Sequence, residues 1–442
     1  MTALSYEQAL GDLESRVPGR MLPDLSRITA LSEHLGEPQR TYPSVHVTGT
    51  NGKTSVSRMI AALFGAIGVQ AGTYTSPHLQ SLRERIRVGN ETMTKGQFAA
   101  AYQDVAPLAE LVDSERSPGG ERVTYFEMLT ALAYWWFADY PVAVGVFEVG
   151  MGGAWDATNL VRGEVAVLTS IDVDHPELGN SPAETAAEKA GIIKPGAAVV
   201  SAAQSPDVLA VIRAAVERQD ATLLVEGHDF GVDERRLALG GQVLTLLTPS
   251  RHHTEVFLPL HGPHQAENAA VALAAFHAFL GDLDNIEDDV VRAAFAGVEV
   301  PGRLEVVDRR PTVVLDGAHN PAGARRAAEA IQEAFAFRDL VLVVACLGDK
   351  NVDGIVGAFR DLASHVVVTR APSNRAASLD DMEAAARSVW EGTSVAVERA
   401  STIGGALDKA TGVTGPSDGV LVTGSLYTVG AARDLYAPLD ES

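Results

Sequence analysis

The chain has 442 residues, about three times the length of a typical single domain, which predicts two domains. Hydrophobic residues make up 46% and charged residues 21%, a composition that is typical of globular proteins and excludes an intrinsically disordered chain. The net charge of −22 argues against nucleic-acid binding through general electrostatics, because so acidic a surface repels a phosphate backbone. Any bound anion therefore needs a local binding device.

The cysteine content, the first residues and the lengths of the apolar runs indicate the cellular compartment of the protein. The single cysteine, Cys346, lies in an apolar run, which excludes a disulfide framework and a cysteine-based zinc site. The first residues are acidic where a signal peptide has basic and apolar residues. No stretch approaches the ~18 uninterrupted apolar residues of a membrane helix. We therefore expect a soluble, cytoplasmic protein with no membrane partner.

Short apolar runs alternate with longer helical patterns in the first half of the chain. Strands are predicted at 44–49, 142–150, 165–171 and 197–202. Apolar residues recur at helical spacing over 54–67, which predicts a helix directly after the first strand. Such alternation predicts a mostly parallel sheet with helices on both faces.

Residues 222–260 depart from this alternation. Their pattern, with Gly240-Gly241 as a turn, predicts an antiparallel meander that forms a small side sheet on the first domain. His252 and His253 have no partner at metal-ligand spacing, and we expect them in a solvated hairpin turn. A helix over 264–280 is predicted to follow.

A connection rich in Gly and Pro at 297–305 is the predicted domain boundary, which divides the chain into 1–299 and 300–442. After it, strands and helices alternate again. Asn320 and Pro321 have the residue types of a helix N-cap and first turn. The fold class predicted is α/β: a mostly parallel-sheet domain with a small antiparallel side sheet, followed by a smaller Rossmann-like C-terminal domain.

Residues 44–60 have the strand, glycine loop and helix of a phosphate-binding loop. Glycines let backbone N–H groups approach phosphates, and the helix N-terminus adds partial positive charge. Lys53 supplies a point charge, and the hydroxyl of either Thr54 or Ser55 is suited to Mg²⁺. The predicted ATP-binding loop consists of Gly49, Thr50, Asn51, Gly52, Lys53, Thr54 and Ser55. The loop alone predicts a P-loop domain that binds a nucleoside triphosphate, and only the motifs beyond it indicate an ATPase domain.

Eight motifs in chain order extend this interpretation beyond nucleotide binding. They are TGTNGKT at 48–54, YTSPHL at 74–79, FEVGMGGAWDATN at 147–159, SIDVDHPELG at 170–179, AAEKAGIIKPG at 186–196, PGRLE at 301–305, LDGAHNP at 315–321 and TGSLY at 423–427. Together they resemble the folylpolyglutamate synthase/dihydrofolate synthase family of Mur-type ATP-dependent amide ligases. The resemblance implies that ATP phosphorylates a substrate carboxylate to an acyl phosphate, which the amine of L-glutamate attacks to form an amide.

The resemblance implies two Mg²⁺ sites. Glu148 ends an apolar strand, where a carboxylate is costly unless it meets a cation, and the family has a magnesium ligand at this position. The resemblance also assigns Ser76 and His175 to the metal, and Lys189 if its amine is carbamoylated, which requires a lowered pKa. Without the resemblance, the sequence would indicate a turn residue at His175 and a solvated helix residue at Lys189. Lys53, Glu148, His175 and Lys189 are the expected catalytic residues.

Family matches assign further residues to the nucleotide and the substrates. The remaining nucleotide contacts expected are Asn268, Arg303, Asp316 and His319. Asp156 is assigned to the pterin ring and Lys350 to the incoming glutamate. Ala154 departs from the family pattern, which has a larger residue there, and Lys194 is interpreted as a helix cap outside the site.

We expect a bifunctional, monomeric enzyme that glutamylates dihydropteroate and reduced folates with ATP and Mg²⁺. A monofunctional member of the family is the first alternative. A cell-wall Mur ligase is the second, although only 48 residues precede Gly49, too few for the nucleotide-sugar domain that those ligases usually carry. A non-ligase ATP-binding module is the third, and it would not need Glu148, His175 and Lys189 together.

Overall fold

An eight-stranded sheet organises the N-terminal part of the chain. The computed structural model describes residues 4–16, 23–116, 121–173, 176–249, 251–281 and 286–439. The strands of this sheet are β1 (Ser44–Thr48), β2 (Ala71–Tyr74), β3 (Ile86–Val88), β4 (Glu91–Thr92), β5 (Val144–Glu148), β6 (Val165–Leu168), β7 (Ala198–Ser201) and β8 (Thr222–Val225). Their order is β4-β3-β2-β5-β1-β6-β7-β8, and all neighbours are parallel except at the β2-β3-β4 edge.

Helices cover both faces of this sheet. They are α1 (Tyr6–Ser15), α2 (Ser26–His34), α3 (Lys53–Ala66), α4 (Lys95–Glu115), α5 (Tyr125–Asp139), α6 (Pro182–Lys189), α7 (Pro206–Arg218), α8 (Pro263–Leu280) and α9 (Asp288–Ala296). On one face the buried apolar residues of α3, α8 and α9 share a core with the strands. On the other, α1, α2, α4 and α5 enclose a second core rich in aromatic rings. The continuous apolar strands are explained by this two-sided burial.

The antiparallel side sheet consists of β9 (Gly231–Ala238), β10 (Gly241–Leu247) and β11 (His252–Leu258) in the order β11-β10-β9. Two expectations for 222–260 are wrong. The first strand of this range, β8, belongs to the main sheet, because it returns after α7 as a crossover and pairs in parallel with β7. His252 and His253 lie on β11 instead of in a turn, and alternation buries His253, whose Nδ1 lies 3.0 Å from Asp288 Oδ1.

A second sheet organises the C-terminal part. Its strands are β12 (Glu305–Arg309), β13 (Thr312–Leu315), β14 (Leu340–Val344), β15 (Ala363–Val368), β16 (Ala396–Arg399) and β17 (Gly419–Thr423), in the order β12-β13-β17-β14-β15-β16. The helices are α10 (Pro321–Ala334), α11 (Val352–Gly357), α12 (Leu379–Val389), α13 (Ile403–Val413) and α14 (Leu426–Tyr436). Only β12, which was not predicted, runs antiparallel to its neighbour.

The structure confirms the predicted α/β fold class, with its mostly parallel sheet, side sheet and second C-terminal sheet. Asn320 caps α10 as expected, since its Oδ1 accepts the Gly323 N–H at 2.7 Å. The domain limits 1–299 and 300–442 stay a prediction. Across the described ranges, no helix is both long and apolar enough to cross a membrane.

Candidate functional site

The carboxyl ends of three adjacent strands carry the predicted nucleotide and metal residues. Gly49 follows β1, Glu148 ends β5, and Ser76 lies just beyond β2, which pairs with β5. Because the carboxyl ends of parallel strands meet at one edge of a sheet, residues far apart in sequence come together here. This edge is where open α/β sheets bind ligands.

Close packing explains the two glycines of the phosphate loop. Gly49 has φ 149° and Gly52 has φ 90°, both in the region that favours glycine. A Cβ at Gly49 would lie 1.8 Å from Thr169 Oγ1, and a Cβ at Gly52 would lie 2.5 Å from Asn268 Oδ1. The loop is therefore enclosed between the end of β6 and helix α8, and it opens onto the N-terminus of α3 at Lys53.

Two lysines meet at one carbonyl of this loop. Lys53 Nζ donates to the Gly49 carbonyl at 3.0 Å and to the Thr50 carbonyl at 3.3 Å. The buried Lys189 Nζ donates to the same Gly49 carbonyl at 2.8 Å. Lys189 is thus not a solvated helix residue, and the structure brings it to the phosphate loop.

Glu148 is buried beside two groups that the sequence singled out. Thr54 Oγ1 donates to its carboxylate at 3.0 and 2.9 Å, and the Ser76 N–H lies 3.3 Å from Oε2. Burial raises the pKa of Glu148, while Lys53 and these hydrogen bonds oppose the rise. Of the two candidate hydroxyls, Thr54 is the one that contacts Glu148. A cation at this position would offset the cost of burying the carboxylate.

The donor set around Glu148 fits Mg²⁺, which prefers carboxylate and hydroxyl oxygens together with water and phosphate. Within the described part of the chain, no group of three or more His, Cys, Asp and Glu side chains is placed to hold a metal. His175 lies outside the described residues, so its predicted metal role stays a prediction.

The C-terminal sheet supplies the opposite wall. Arg303 precedes β12, and Asp316 and His319 lie between β13 and α10. The buried Asp316 carboxylate accepts the N–H groups of Leu304 at 3.1 Å and Ala318 at 2.9 Å, and burial raises its pKa. His319 Nδ1 lies 3.0 Å from the Gly317 carbonyl oxygen.

Between the two walls lies a cleft of about 180 Å³. The sequence-predicted residues that line it are Thr50, Asn51, Gly52, Lys53, Thr54, Ser55, Ser76, Glu148, Asn268, Arg303, Asp316 and His319. A hydrogen bond of 3.2 Å from Asn320 Nδ2 to Asn51 Oδ1 joins the walls directly. The cleft therefore collects the phosphate loop, the buried carboxylate and the second-sheet residues in one place.

The two predicted substrate residues, Asp156 and Lys350, do not line the cleft. The Asp156 carboxylate accepts the N–H groups of Met151 and Thr158 at 3.0 Å each and the Thr158 hydroxyl at 2.5 Å, so it shapes its own loop. Lys350 lies in the turn after β14, outside the cleft lining. A pterin contact for Asp156 and a glutamate contact for Lys350 stay predictions.

Sequence reasoning missed Arg326 and His264, both of which line the cleft. Arg326 Nη1 donates to Ser170 Oγ at 3.2 Å, and burial lowers the pKa of His264 to about 3. The predicted N-cap at Asn320 sets the start of α10, and residues three apart on a helix lie on the same face. Arg326 therefore lies on the same face as Gly323, which also lines the cleft, and helical spacing from the cap could have identified it. The cap role expected for Lys194 is wrong, because Lys194 Nζ donates to Asn159 instead of to the end of α6.

Comparisons with known proteins identify the family of this chain. The Mur ligase middle domain matches residues 122–276, and the Mur ligase glutamate ligase domain matches residues 302–426. The dihydrofolate synthase/folylpolyglutamate synthase of Mycobacterium tuberculosis is 44% identical, over 96% of this chain and 92% of its own length.

Solved structures agree as well. The Mycobacterium tuberculosis folylpolyglutamate synthase complexed with ADP has a TM-score of 0.93 and 43% identity, over 99% of both chains. An FPGS–AMPPCP–folate complex has a TM-score of 0.83 and 30% identity, over 98% of this chain and 100% of its own. The chain therefore belongs to the folylpolyglutamate synthase/dihydrofolate synthase family of Mur-type ligases and is an ATP-dependent ligase.

Proposed function

We propose that this protein joins L-glutamate to dihydropteroate and to the glutamate tail of reduced folates. In each case ATP transfers its γ-phosphoryl group to the acceptor carboxylate, which gives an acyl phosphate and ADP. The amine of L-glutamate then attacks the acyl carbon, the C–O bond to phosphate breaks, and an amide and inorganic phosphate result. The relative from Mycobacterium tuberculosis carries both activities in its name, which supports the bifunctional form.

The observation that carries the proposal is the shared cleft of the phosphate loop, Glu148 and the C-terminal wall. The loop N–H groups and Lys53 bind the triphosphate. Arg303 contacts phosphate, Asp316 a ribose hydroxyl, and His319 and Asn268 the base. ATP thus lies between the two sheets, and closure of the walls orients its γ-phosphate toward the acceptor carboxylate.

Magnesium is part of the proposal because of the oxygens around Glu148. Thr54, Ser76 and Glu148 would hold one ion, and His175 with carbamoylated Lys189 would complete the two expected sites. Mg²⁺ supplies charge stabilisation to the transferring phosphoryl group. The short contact of Lys189 with the loop carbonyl is consistent with a position beside the phosphates.

The contacts with the pterin and with L-glutamate are proposed on the basis of the family resemblance. Asp156 faces the pterin, and Lys350 is a cationic partner for the incoming glutamate. We also propose that the enzyme is cytoplasmic and monomeric. These roles are independent of the nucleotide proposal.

The test measures phosphate release from MgATP and L-glutamate with either dihydropteroate or a reduced folate monoglutamate, and mass spectrometry follows the product. Lys53→Met should abolish release with either acceptor, because the loop loses its point charge. Lys409→Met is the matched control, since this lysine lies on α13 and pairs with Glu398 at 2.5 Å.

Glutamate addition to both acceptors supports the bifunctional proposal. Addition to only one acceptor identifies a monofunctional member of the family. ATP binding without glutamylation of either acceptor contradicts the proposed substrates.

A further inference from the structure

Lys194 makes the contacts that carry the inference. It lies after the short Ala190–Ile192 turn that follows α6. Its Nζ donates to both the backbone carbonyl and the side-chain Oδ1 of Asn159, each at 2.8 Å. The Lys194 ammonium therefore hydrogen-bonds to both oxygens of a residue that is 35 positions earlier in the chain.

The amide nitrogen of Asn159 makes two further hydrogen bonds. Its Nδ2 donates to the Ala154 carbonyl at 2.8 Å and to the Gly191 carbonyl at 3.2 Å. Ala154 belongs to the loop that follows Glu148, and Gly191 to the turn that follows α6. The Lys194–Asn159 pair thus fastens these two segments to each other.

The two segments are in close contact along their length. The Ala154 N–H donates to the Glu188 carbonyl at 3.1 Å. A Cβ at Gly153 would lie 2.7 Å from the Lys189 carbonyl oxygen, and a Cβ at Gly191 would lie 2.4 Å from the Ala154 Cβ. Ala154 is therefore packed directly on the end of the helix that carries Lys189.

We infer that Lys194 is a positioning residue for Lys189 and for the loop after Glu148. Through Asn159 it holds the carbonyl end of α6 against that loop, and this fixes the direction from which Lys189 reaches the Gly49 carbonyl. The inference deepens the proposed function and rests on it, because the role of Lys189 beside the phosphates is proposed there.

The surroundings of Lys194 bear on how much the pair contributes to stability. Lys194 lines a cavity of about 600 Å³ outside the nucleotide cleft, and burial lowers its pKa to about 8. Both Asn159 oxygens to which its ammonium donates are neutral. The desolvation cost of the buried ammonium offsets part of the hydrogen bonding that Lys194→Met removes. Asn159 lines the same cavity, where water can replace the ammonium, so the change is expected to cost little stability.

The test compares Lys194→Met and Asn159→Asp with the wild-type enzyme. We expect either change to lower kcat about 10- to 100-fold, as small misplacements near reacting groups do, and to leave the KM for ATP nearly unchanged. Lys194→Met removes the ammonium that donates to Asn159, whereas Asn159→Asp keeps the oxygens that accept from Lys194 and loses the Nδ2 donor to the Ala154 and Gly191 carbonyls. The two variants therefore break the same series of contacts at two different points. Lys409→Met, remote from both segments, is the control and should match the wild type.

A second readout does not depend on the reaction. Competitive acetylation followed by mass spectrometry measures the reactivity of each free lysine amine, so it is done without added bicarbonate, where Lys189 carries no carbamoyl group. We expect Lys189 to become several-fold more reactive in Lys194→Met, while the reactivity of Lys53 stays constant and the melting temperature stays within a few degrees. General destabilisation would instead raise the reactivity of both lysines.

Unchanged kcat and unchanged Lys189 reactivity in Lys194→Met overturn the inference, as does a loss of kcat that is accompanied by a matching rise in KM and fall in melting temperature. If the wild type glutamylates neither acceptor and Lys189 still becomes selectively reactive in Lys194→Met, the positioning contact stands and the proposed substrates fail.

Discussion

Replacing Glu148 by glutamine separates the catalytic role of this residue from its effect on stability. Glutamine has the same shape, and its carbonyl oxygen can still accept from the Thr54 hydroxyl and the Ser76 N–H. Burial raises the pKa of Glu148 in the folded protein. Compared with the unfolded chain, the folded protein therefore favours the protonated carboxyl group. The stability that this gives is lost as the pH rises through the folded-state pKa. Near neutral pH we expect Glu148→Gln to unfold at the same temperature as the wild type or higher.

Activity should change in the opposite direction. A bound cation contributes several kcal/mol of charge stabilisation to a transferring phosphoryl group. At 1.36 kcal/mol per factor of ten, a loss of about 4 kcal/mol corresponds to a fall in kcat of about 1,000-fold. The KM for ATP should change much less, because the loop contacts and Lys53 stay in place.

The assay is glutamate-dependent phosphate release at saturating MgATP, together with thermal unfolding of the same preparations. Glu164→Gln is the control, since Glu164 lies just before β6, at the amino end of the strands and so at the opposite end from Glu148, and accepts the Ser44 N–H at 2.8 Å. Retention of kcat within about tenfold of the wild type in Glu148→Gln would refute the metal-ligand reasoning. A large fall in melting temperature would refute the account of its burial.

Three further changes test individual residues. Burial raises the pKa of Glu226 from 4.5 to about 7. As the pH rises from 5 to 8, Glu226→Gln should therefore become more stable than the wild type, by up to about 3 kcal/mol in urea unfolding. A difference in stability that shrinks as the pH rises contradicts this prediction. Arg27→Met leaves the buried Glu127 carboxylate without the guanidinium that lies 2.9 Å away and should cost about 3–5 kcal/mol, most of which Arg27→Met/Glu127→Gln should restore. Arg326→Ala should raise the KM for ATP about tenfold through loss of a charged contact in the cleft, and an unchanged KM removes Arg326 from the nucleotide site.

Local patterns were sufficient for the phosphate loop and for Glu148. A glycine loop between a buried strand and an amphipathic helix is a local feature, and a carboxylate at the end of an apolar strand stands out by composition alone. The same holds for the Asn320 cap, whose geometry depends on its own next three residues. The positions of the strand, loop, helix and cap agreed with the structure because neighbouring residues determine them, while the nucleotide and metal roles stay predictions.

Features that depend on distant segments were beyond sequence reasoning. The pairing of β8 with β7 depends on the crossover through α7, and the buried side of His253 depends on Asp288 in a later helix. The helix end next to Lys194 in the sequence predicts a cap, whereas the partner of Lys194 in the structure is Asn159, which lies in another loop. Each error arose where a tertiary contact outweighed the local pattern.

The direct contact between the two walls of the cleft allows a test of how they cooperate. Asn320 has two separable tasks, since its Oδ1 caps α10 and its Nδ2 donates to Asn51 Oδ1 at 3.2 Å. Asn320→Ser keeps a good N-cap but is too short to reach Asn51, so we expect unchanged stability. Loss of one hydrogen bond of about 1 kcal/mol should raise the KM for ATP about fivefold. Combining it with Asn51→Ala should add no further loss, because both changes remove the same bond. Fully additive effects would mean that Asn51 and Asn320 act on the nucleotide independently and that the walls are aligned by other contacts.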